Sequence, residues 1–475
     1  MPGKEEKTAG QKLAERLTRK APNAWERLRG EGHQVAMQFA EGYKEFLDAA
    51  KTEREAVTAV VAAAVEAGFR PLGELPPGGL AAGSKFYYVN RGKAVVLGVV
   101  GVEPLASGFK LVGAHLDVPR LDLKPNPLYE SEGLALLKTH YYGGIKKYQW
   151  TSIPLALHGV VIKGDGERLE LTIGEAEDDP VFTISDLLPH LAKDQMQKKL
   201  GEAIAGEELN LLAGSIPYDD EEVKEKVKLR VLEYLHQRYG LVEEDFTSAE
   251  LEVVPAGRSR DIGFDRGLVG GYGQDDRVCS YTALRAILDL QQARHTALIL
   301  LADKEEIGST GNTGMQSRFL EYVVLELAGL AGPGGSVDPG RVLFNSRALS
   351  ADVNAAMDPN HDGVMEKHNA ARLGGGVVLT KYTGSGGKYH SNDANAEFVA
   401  EVRRLFNTTG IAWQVGELGK VDQGGGGTIA QYLANLGMDV VDCGPALLSM
   451  HAPFEVASKV DIYTTYQAYR AFLEA

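Results

Sequence analysis

Two cysteines in 475 residues leave no material for a disulfide framework or a Cys-rich zinc site. Cys279 and Cys443 stand far apart, each in an apolar context, and so point to a reducing compartment. Long apolar runs are also missing. The longest, AVVLGVVGV from Ala94, contains glycines and is too short to span a bilayer. The opening MPGKEEKTAG has no apolar stretch behind its charges, as a secretory signal would. These absences predict a cytoplasmic protein with no membrane partner. Basic charge is in deficit: 50 Lys and Arg stand against 65 Asp and Glu, a formal net charge of -15. That excess argues against nucleic acid, whose phosphates demand a basic surface. No GxSxG nucleophile elbow occurs, and GGGGT at Gly424–Thr428 lacks the GK[ST] ending of a phosphate loop. It reads instead as a place where backbones approach closely. Cys279, inside a helical apolar pattern, reads as core rather than nucleophile.

What remains is ordinary globular composition, 44% hydrophobic and 24% charged, in a chain longer than one core usually serves. Apolar residues recur at helical spacing from Val35 through Phe39, Tyr43, Phe46 and Leu47 towards Phe69. Strand-like runs follow: KFYYVN, AVVLGVV and FKLVGAH, the last ending abruptly in polar residues at His115 and Asp117. From about Pro119 to Pro255 the pattern turns strand-rich (IPLALHGVVI, RLELTIG). It also holds TISDLLPHLAKDQ, with Thr183 as a helix cap, and a charged helix around DDEEVKEKVKLRVLEYLHQRY. Beyond Gly257 strands and helices alternate again. The expectation is an α/β catalytic domain with a doubly wound, mostly parallel sheet, formed by residues 1–118 and 258–475 and interrupted by an inserted, strand-rich domain over 119–257.

Acidic and imidazole residues gather where apolar strands end: GAHLD (His115, Asp117), GYGQDDR (Asp275, Asp276), ADKEEIGS (Asp303, Glu305, Glu306), SADVN (Asp352) and LSMHAPFE (His451, Glu455). In open α/β sheets ligands bind at the carboxyl ends of strands, so these clusters can converge. A lone strand-end histidine is commonly structural, and paired carboxylates are commonly surface charge. Glu305–Glu306 is more informative, because adjacent carboxylates after an apolar run repel unless a cation holds them. Histidines with carboxylates and no thiolate suit zinc or a similar divalent ion at a catalytic site.

The order HxD, DDR, DxEEIGSTG, ADV, MHxPxE resembles the co-catalytic dizinc aminopeptidases, and within them the aspartyl aminopeptidase and aminopeptidase I family. KHN at Lys367–Asn369, HSN at His390–Asn392 and VDQGGGGTI before the penultimate helix are similar to that family's later motifs. The resemblance implies two divalent ions per subunit, zinc first, with cobalt or manganese also compatible. It implies Asp275 as the carboxylate bridging both ions, with His115 and Asp352 completing one site and Glu306 and His451 the other. Asp117 is then the residue that hydrogen-bonds His115 and fixes its tautomer, and Glu305 the general base. LLPHLA at Leu187–Ala192 resembles the family segment whose histidine reaches a neighbouring subunit's site. That nominates His190 as an oxyanion-stabilising residue acting in trans and the insert as a dimer contact, with dimers assembling into a dodecamer.

The implied activity is removal of N-terminal residues from peptides with a free amine. Competing readings are a dizinc carboxypeptidase or small-amide hydrolase of the same fold, an inactive metal-stabilised assembly protein, and a nucleotide-binding protein using the glycine turn. Side-chain preference stays open. The aspartyl branch reads DMAHA at the strand with the last carboxylate ligand, and here DVNAA puts Ala355 where that branch has histidine. Lys381 remains at a strand end where it could face an acidic side chain.

Overall fold

The computed structural model describes residues 7–19, 23–76, 80–331 and 337–475. Its largest layer is a nine-stranded sheet in the spatial order Arg70–Pro71, Lys85–Asn90, Ala94–Val99, Thr296–Ala302, Phe109–His115, Arg347–Ser350, Asp439–Gly444, Val377–Thr380, Trp413–Val415. The centre, from Thr296–Ala302 to Asp439–Gly444, is parallel throughout. Antiparallel pairs occur where Ala94–Val99 meets both its neighbours and where Val377–Thr380 meets Asp439–Gly444. The expected parallel core therefore sits inside a mixed sheet.

Ala94–Val99, Phe109–His115 and Thr296–Ala302 are buried at every position, as strands covered on both faces are. Their side chains alternate between two apolar clusters, following the period of two. Val95, Leu97, Val112 and Ile299 pack with helices Glu31–Ala49, Gln274–Leu288 and Lys459–Glu474. Val96, Leu111, Leu298 and Leu300 pack with Phe319–Leu330, Pro339–Asn345 and Ala430–Asn435. The helical run expected from Val35 to Phe69 is two helices, Glu31–Ala49 and Glu53–Glu66. Thr52 starts the second with a capping box to Glu55, a stop and restart that the apolar period conceals.

A second sheet is antiparallel, in the order Arg168–Ile173, Leu155–Ile162, Ala249–Pro255, Arg120–Ser131, Leu134–Tyr142, Leu211–Gly214. It has its own apolar cluster around the fully buried Trp150. The helix Lys226–Tyr239 lies against it through Val227 and Val231. No α-helix follows Thr183. Residues 183–194 run as loop and turn, with Leu187, Leu188 and Leu191 exposed. Only Ile184 and Ala192 of this stretch are buried, too little apolar contact to hold a helix that would not persist alone.

A third, five-stranded sheet was not foreseen: Arg260–Ile262, Leu268–Gly271, Glu455–Ser458, Ala446–Leu448 and Asn354–Ala355. These strands are two to four residues long, below the length at which alternation is legible. They matter because they draw together the segments carrying Asp275, Asp352 and His451. The four-glycine turn is a close-approach device: a Cβ on Gly424 would lie 2.1 Å from the Leu418 carbonyl oxygen, and one on Gly425 2.3 Å from that of Gly384.

Candidate metal centre

Register places the first residues. His115 ends its strand directly opposite Ala302, so Asp303, Glu305 and Glu306 follow at the same edge. Ser350 lies opposite Gly113, which sets Asp352 on the other flank. The small sheet supplies the rest. Gly271 pairs with Glu455, bringing the turn before Asp275 beside the loop that holds His451.

Three groups of ligand-type atoms result, each with members within 4.8 Å of one another: His115 with Glu305 and Glu306, His115 with Asp276 and Asp352, and Asp275 with Glu306 and His451. Asp275 stands in the middle. His115 Nε2 is 3.2 Å from its Oδ1, and His451 Nε2 is 3.2 Å from its Oδ2. His451 Nε2 also lies 3.5 Å from Glu306 Oε1. His190 is not brought to this cluster within the chain; it lies on an exposed turn of the inserted sheet's long connection.

Asp117 does hydrogen-bond His115, but through its main chain. His115 Nδ1 donates to the Asp117 main-chain oxygen at 2.9 Å, while the carboxylate stands 3.5 Å away. The carboxylate instead accepts the main-chain N–H of Glu305 at 3.0 Å and of Glu306 at 3.1 Å, and the Tyr142 hydroxyl at 2.8 Å. It pins the turn that presents both glutamates. Glu455 has a parallel duty that the motif hinted at without defining. Its Oε2 accepts from Gln274 N at 2.6 Å and Asp275 N at 3.2 Å, and its Oε1 from His451 N at 2.8 Å. Asp276, whose Oδ2 accepts from His115 N at 3.4 Å, was also left without a role.

The electrostatics are those of acids crowded in a dry place. Burial first, then the charges of Asp117 and Asp275, pushes Glu305 up to about 7 against the pull of His115. Glu306 and Asp352 rise well above the usual carboxyl range, again chiefly through burial. Asp275 goes the other way. Burial opposes its charge, but contact with His115 and His451 holds it well below the usual range. Burial likewise opposes His451, and Asp275 and Glu306 nonetheless raise it to about 10.

The donor set fits divalent metal. Glu306 Oε1 and Asp276 Oδ1 are buried acceptors that make no hydrogen bond, and buried acceptors without donors are costly unless a cation meets them. Imidazole and carboxylate without thiolate is the chemistry of catalytic zinc, cobalt or manganese. Histidines and carboxylates sharing a central aspartate, at the strand ends of an α/β sheet, define a metallohydrolase.

Comparison with known proteins narrows the class. The family described as Aminopeptidase I zinc metalloprotease (M18) matches residues 46–473. A probable M18 family aminopeptidase 1 of Clostridium acetobutylicum is 51% identical over 459 residues, covering 96% of this chain and 99% of the relative. Its counterpart in Thermotoga maritima is 52% identical over 92% of this chain and 95% of the relative. A crystal structure of the M18 aminopeptidase from Thermotoga maritima superposes with a TM-score of 0.92 at 50% identity, covering 96% of this chain and 100% of that one. The chain belongs to the M18 aminopeptidase family, and it is a metal-dependent aminopeptidase, a zinc-type hydrolase of N-terminal peptide bonds.

Proposed function

We propose that this aminopeptidase works through two divalent ions, most naturally zinc, held in a pair around Asp275. His115 and Asp352 complete one site, and Glu306 and His451 the other. The observation that carries this reading is the placement of the two imidazole Nε2 atoms on opposite oxygens of one buried carboxylate, each at 3.2 Å. When bound, such ions would acidify a shared water and polarise the scissile carbonyl. Glu305, beside the ligands without a place in the pair, takes the proton of the attacking water and delivers it to the leaving amine. Asp117 keeps Glu305 and Glu306 in place through their main-chain N–H groups. His190, from the insert of a neighbouring copy, donates to the developing oxyanion.

The same reading divides the chain into a doubly wound catalytic domain, 1–118 with 258–475, and an inserted dimerisation domain, 119–257. Leu187, Leu188, Leu191, Met196 and Leu200 are each about half exposed or more. Apolar side chains so grouped on either side of His190 suit contact with a second copy. One solved relative of the fold is titled the S. cerevisiae mApe1 dodecamer, with a TM-score of 0.73 at 22% identity, and a dodecamer is the assembly proposed here. Two buried free thiols suit a reducing cytoplasm. Among the described residues, no helix is long and apolar enough to cross a membrane.

Dialysis against a chelator is the direct test of metal dependence. Hydrolysis of an aminoacyl chromogenic substrate should vanish and return on adding zinc, cobalt or manganese. N-acetylation of the substrate should abolish turnover. Full activity in a verified metal-free sample would end the metal reading, and hydrolysis of the blocked substrate would end the requirement for a free amine.

A further inference from the structure

The hairpin strand Leu134–Tyr142 belongs to the inserted sheet, yet its end reaches the candidate metal centre. Tyr142 donates its hydroxyl to Asp117 Oδ2 at 2.8 Å, and its ring is covered by the Arg120 guanidinium at 4.0 Å from the centroid. Arg120 is itself held by Asp122, at 2.8 Å, and by the buried Glu252, at 3.1 Å, both in the inserted sheet. Two residues on, the Gly144 carbonyl accepts from His451 Nδ1 at 2.9 Å. That bond fixes the proton on Nδ1 and turns Nε2 towards Asp275 and Glu306. The approach is tight: a Cβ on Gly143 would lie 3.3 Å from Glu306 Cβ, and one on Gly144 3.3 Å from His451 Nδ1, so that either neighbour would have to give way slightly.

We propose that Tyr142 and Gly144 are positioning residues for metal binding, through which the inserted domain sets the orientation of Asp117 and His451 and so the affinity of the centre. This rests on the two-metal reading above. The physical argument is that a ligand imidazole needs an acceptor on its far nitrogen to hold one tautomer and one ring plane. A carboxylate that carries two main-chain N–H groups likewise needs a third anchor to resist rotation. Partners of this kind commonly change metal affinity by about 10–100-fold when removed. The effect is one on metal loading and ligand geometry, and metal affinity rather than peptide binding is its readout.

Two variants test it. Tyr142→Phe keeps the ring against Arg120 and removes only the hydroxyl. Gly144→Ala keeps the carbonyl and, at a position whose backbone is not left-handed, places a methyl against His451. Apo protein is titrated with cobalt by equilibrium dialysis and by its visible absorption, and folding is checked by circular dichroism. We expect both variants to bind cobalt about 10–100-fold more weakly than wild type, with kcat lowered at limiting metal and recovering as metal is raised, and with KM near wild type for Tyr142→Phe. Should Tyr142→Phe fail to fold, Gly144→Ala decides alone. If the wild type binds cobalt and the folded variants match it, the positioning role is wrong while the two-metal reading stands. If the wild type itself binds no cobalt, the two-metal reading fails and takes this proposal with it.

Discussion

At the scale of single residues, the division of labour between neighbouring carboxylates can be separated by measuring turnover and metal content together. Glu305→Gln preserves shape but cannot accept a proton, so turnover should drop by roughly 10²–10⁴ with metal content near wild type. Asp275→Asn removes the charge both histidines address and should lose metal as well. Elemental analysis showing the reverse pattern would reassign the two. Selectivity follows from different residues. A cavity of about 670 Å³ beside His451 is lined by Gly144, Tyr148, Ala355, Asp358 and Met450, among others. Lys381 is not free to meet an acidic side chain, because it is ion-paired with Asp393. Neutral or basic N-terminal residues should therefore be cleaved at least as well as Asp and Glu across an aminoacyl panel, and a strong acidic preference would show that Lys381 changes partner. The residues brought together at the centre were all visible beforehand, because each sits in a short motif at a strand end. Tyr142 and Gly144 were not. YYGG in a hairpin carries no signal until folding lays it against Asp117 and His451.

Elements differ in how openly the chain announces them. The long strands of the nine-stranded sheet were plain in the apolar period, since they are buried on both faces. The five-stranded sheet of two- to four-residue strands was invisible, although it gathers the ligand-bearing loops, because such strands are defined by partners rather than by pattern. The joint between the two larger sheets offers a pH test. His158, on the inserted sheet, bonds Glu55 of the helix Glu53–Glu66 at 2.8 Å and Glu175 at 3.1 Å. Burial opposes its charge, but hydrogen bonds to Glu175 and Glu55 raise its pKa above the ordinary value. Both glutamates are lowered by the same contacts against their own burial. A raised histidine stabilises fully below the unfolded value of about 6.5 and loses that contribution as pH rises through the folded value. The glutamates contribute above about 4.3 and lose it as pH falls through their lowered values. The melting temperature of the wild type should therefore decline between about pH 6 and pH 9 more steeply than that of His158→Gln, whose neutral side chain cannot titrate. Equal slopes in calorimetric scans would show that His158 is not charged in the fold.

For the molecule as a whole, the decisive question is whether one site needs two chains. His190 lies on an exposed turn, and His190→Ala should lower turnover by roughly 10²–10³ without removing metal. Supply across a subunit boundary predicts more. Glu305→Gln chains carry a sound His190, and His190→Ala chains a sound base, so unfolding, mixing and refolding the two should restore part of the activity. Differential tags must first show that mixed oligomers formed; if they did and activity stays at the parental level, His190 acts within its own chain or not at all. The proposed assembly comes only from family resemblance, since exposed leucines beside a histidine do not by themselves name what covers them. The backbone enters the inserted sheet at Arg120 and leaves it at Pro255 on paired neighbouring strands, with Leu121 facing Val253. Entry and exit share one doorway, so a single splice joining Val118 to Arg258 would close the nine-stranded layer without breaking any of its strands. A gene shortened in this way would lose Tyr142, Gly144 and His190 together. On the positioning role proposed for Tyr142 and Gly144, a chain without the insert would need some other loop to steady the same ligands.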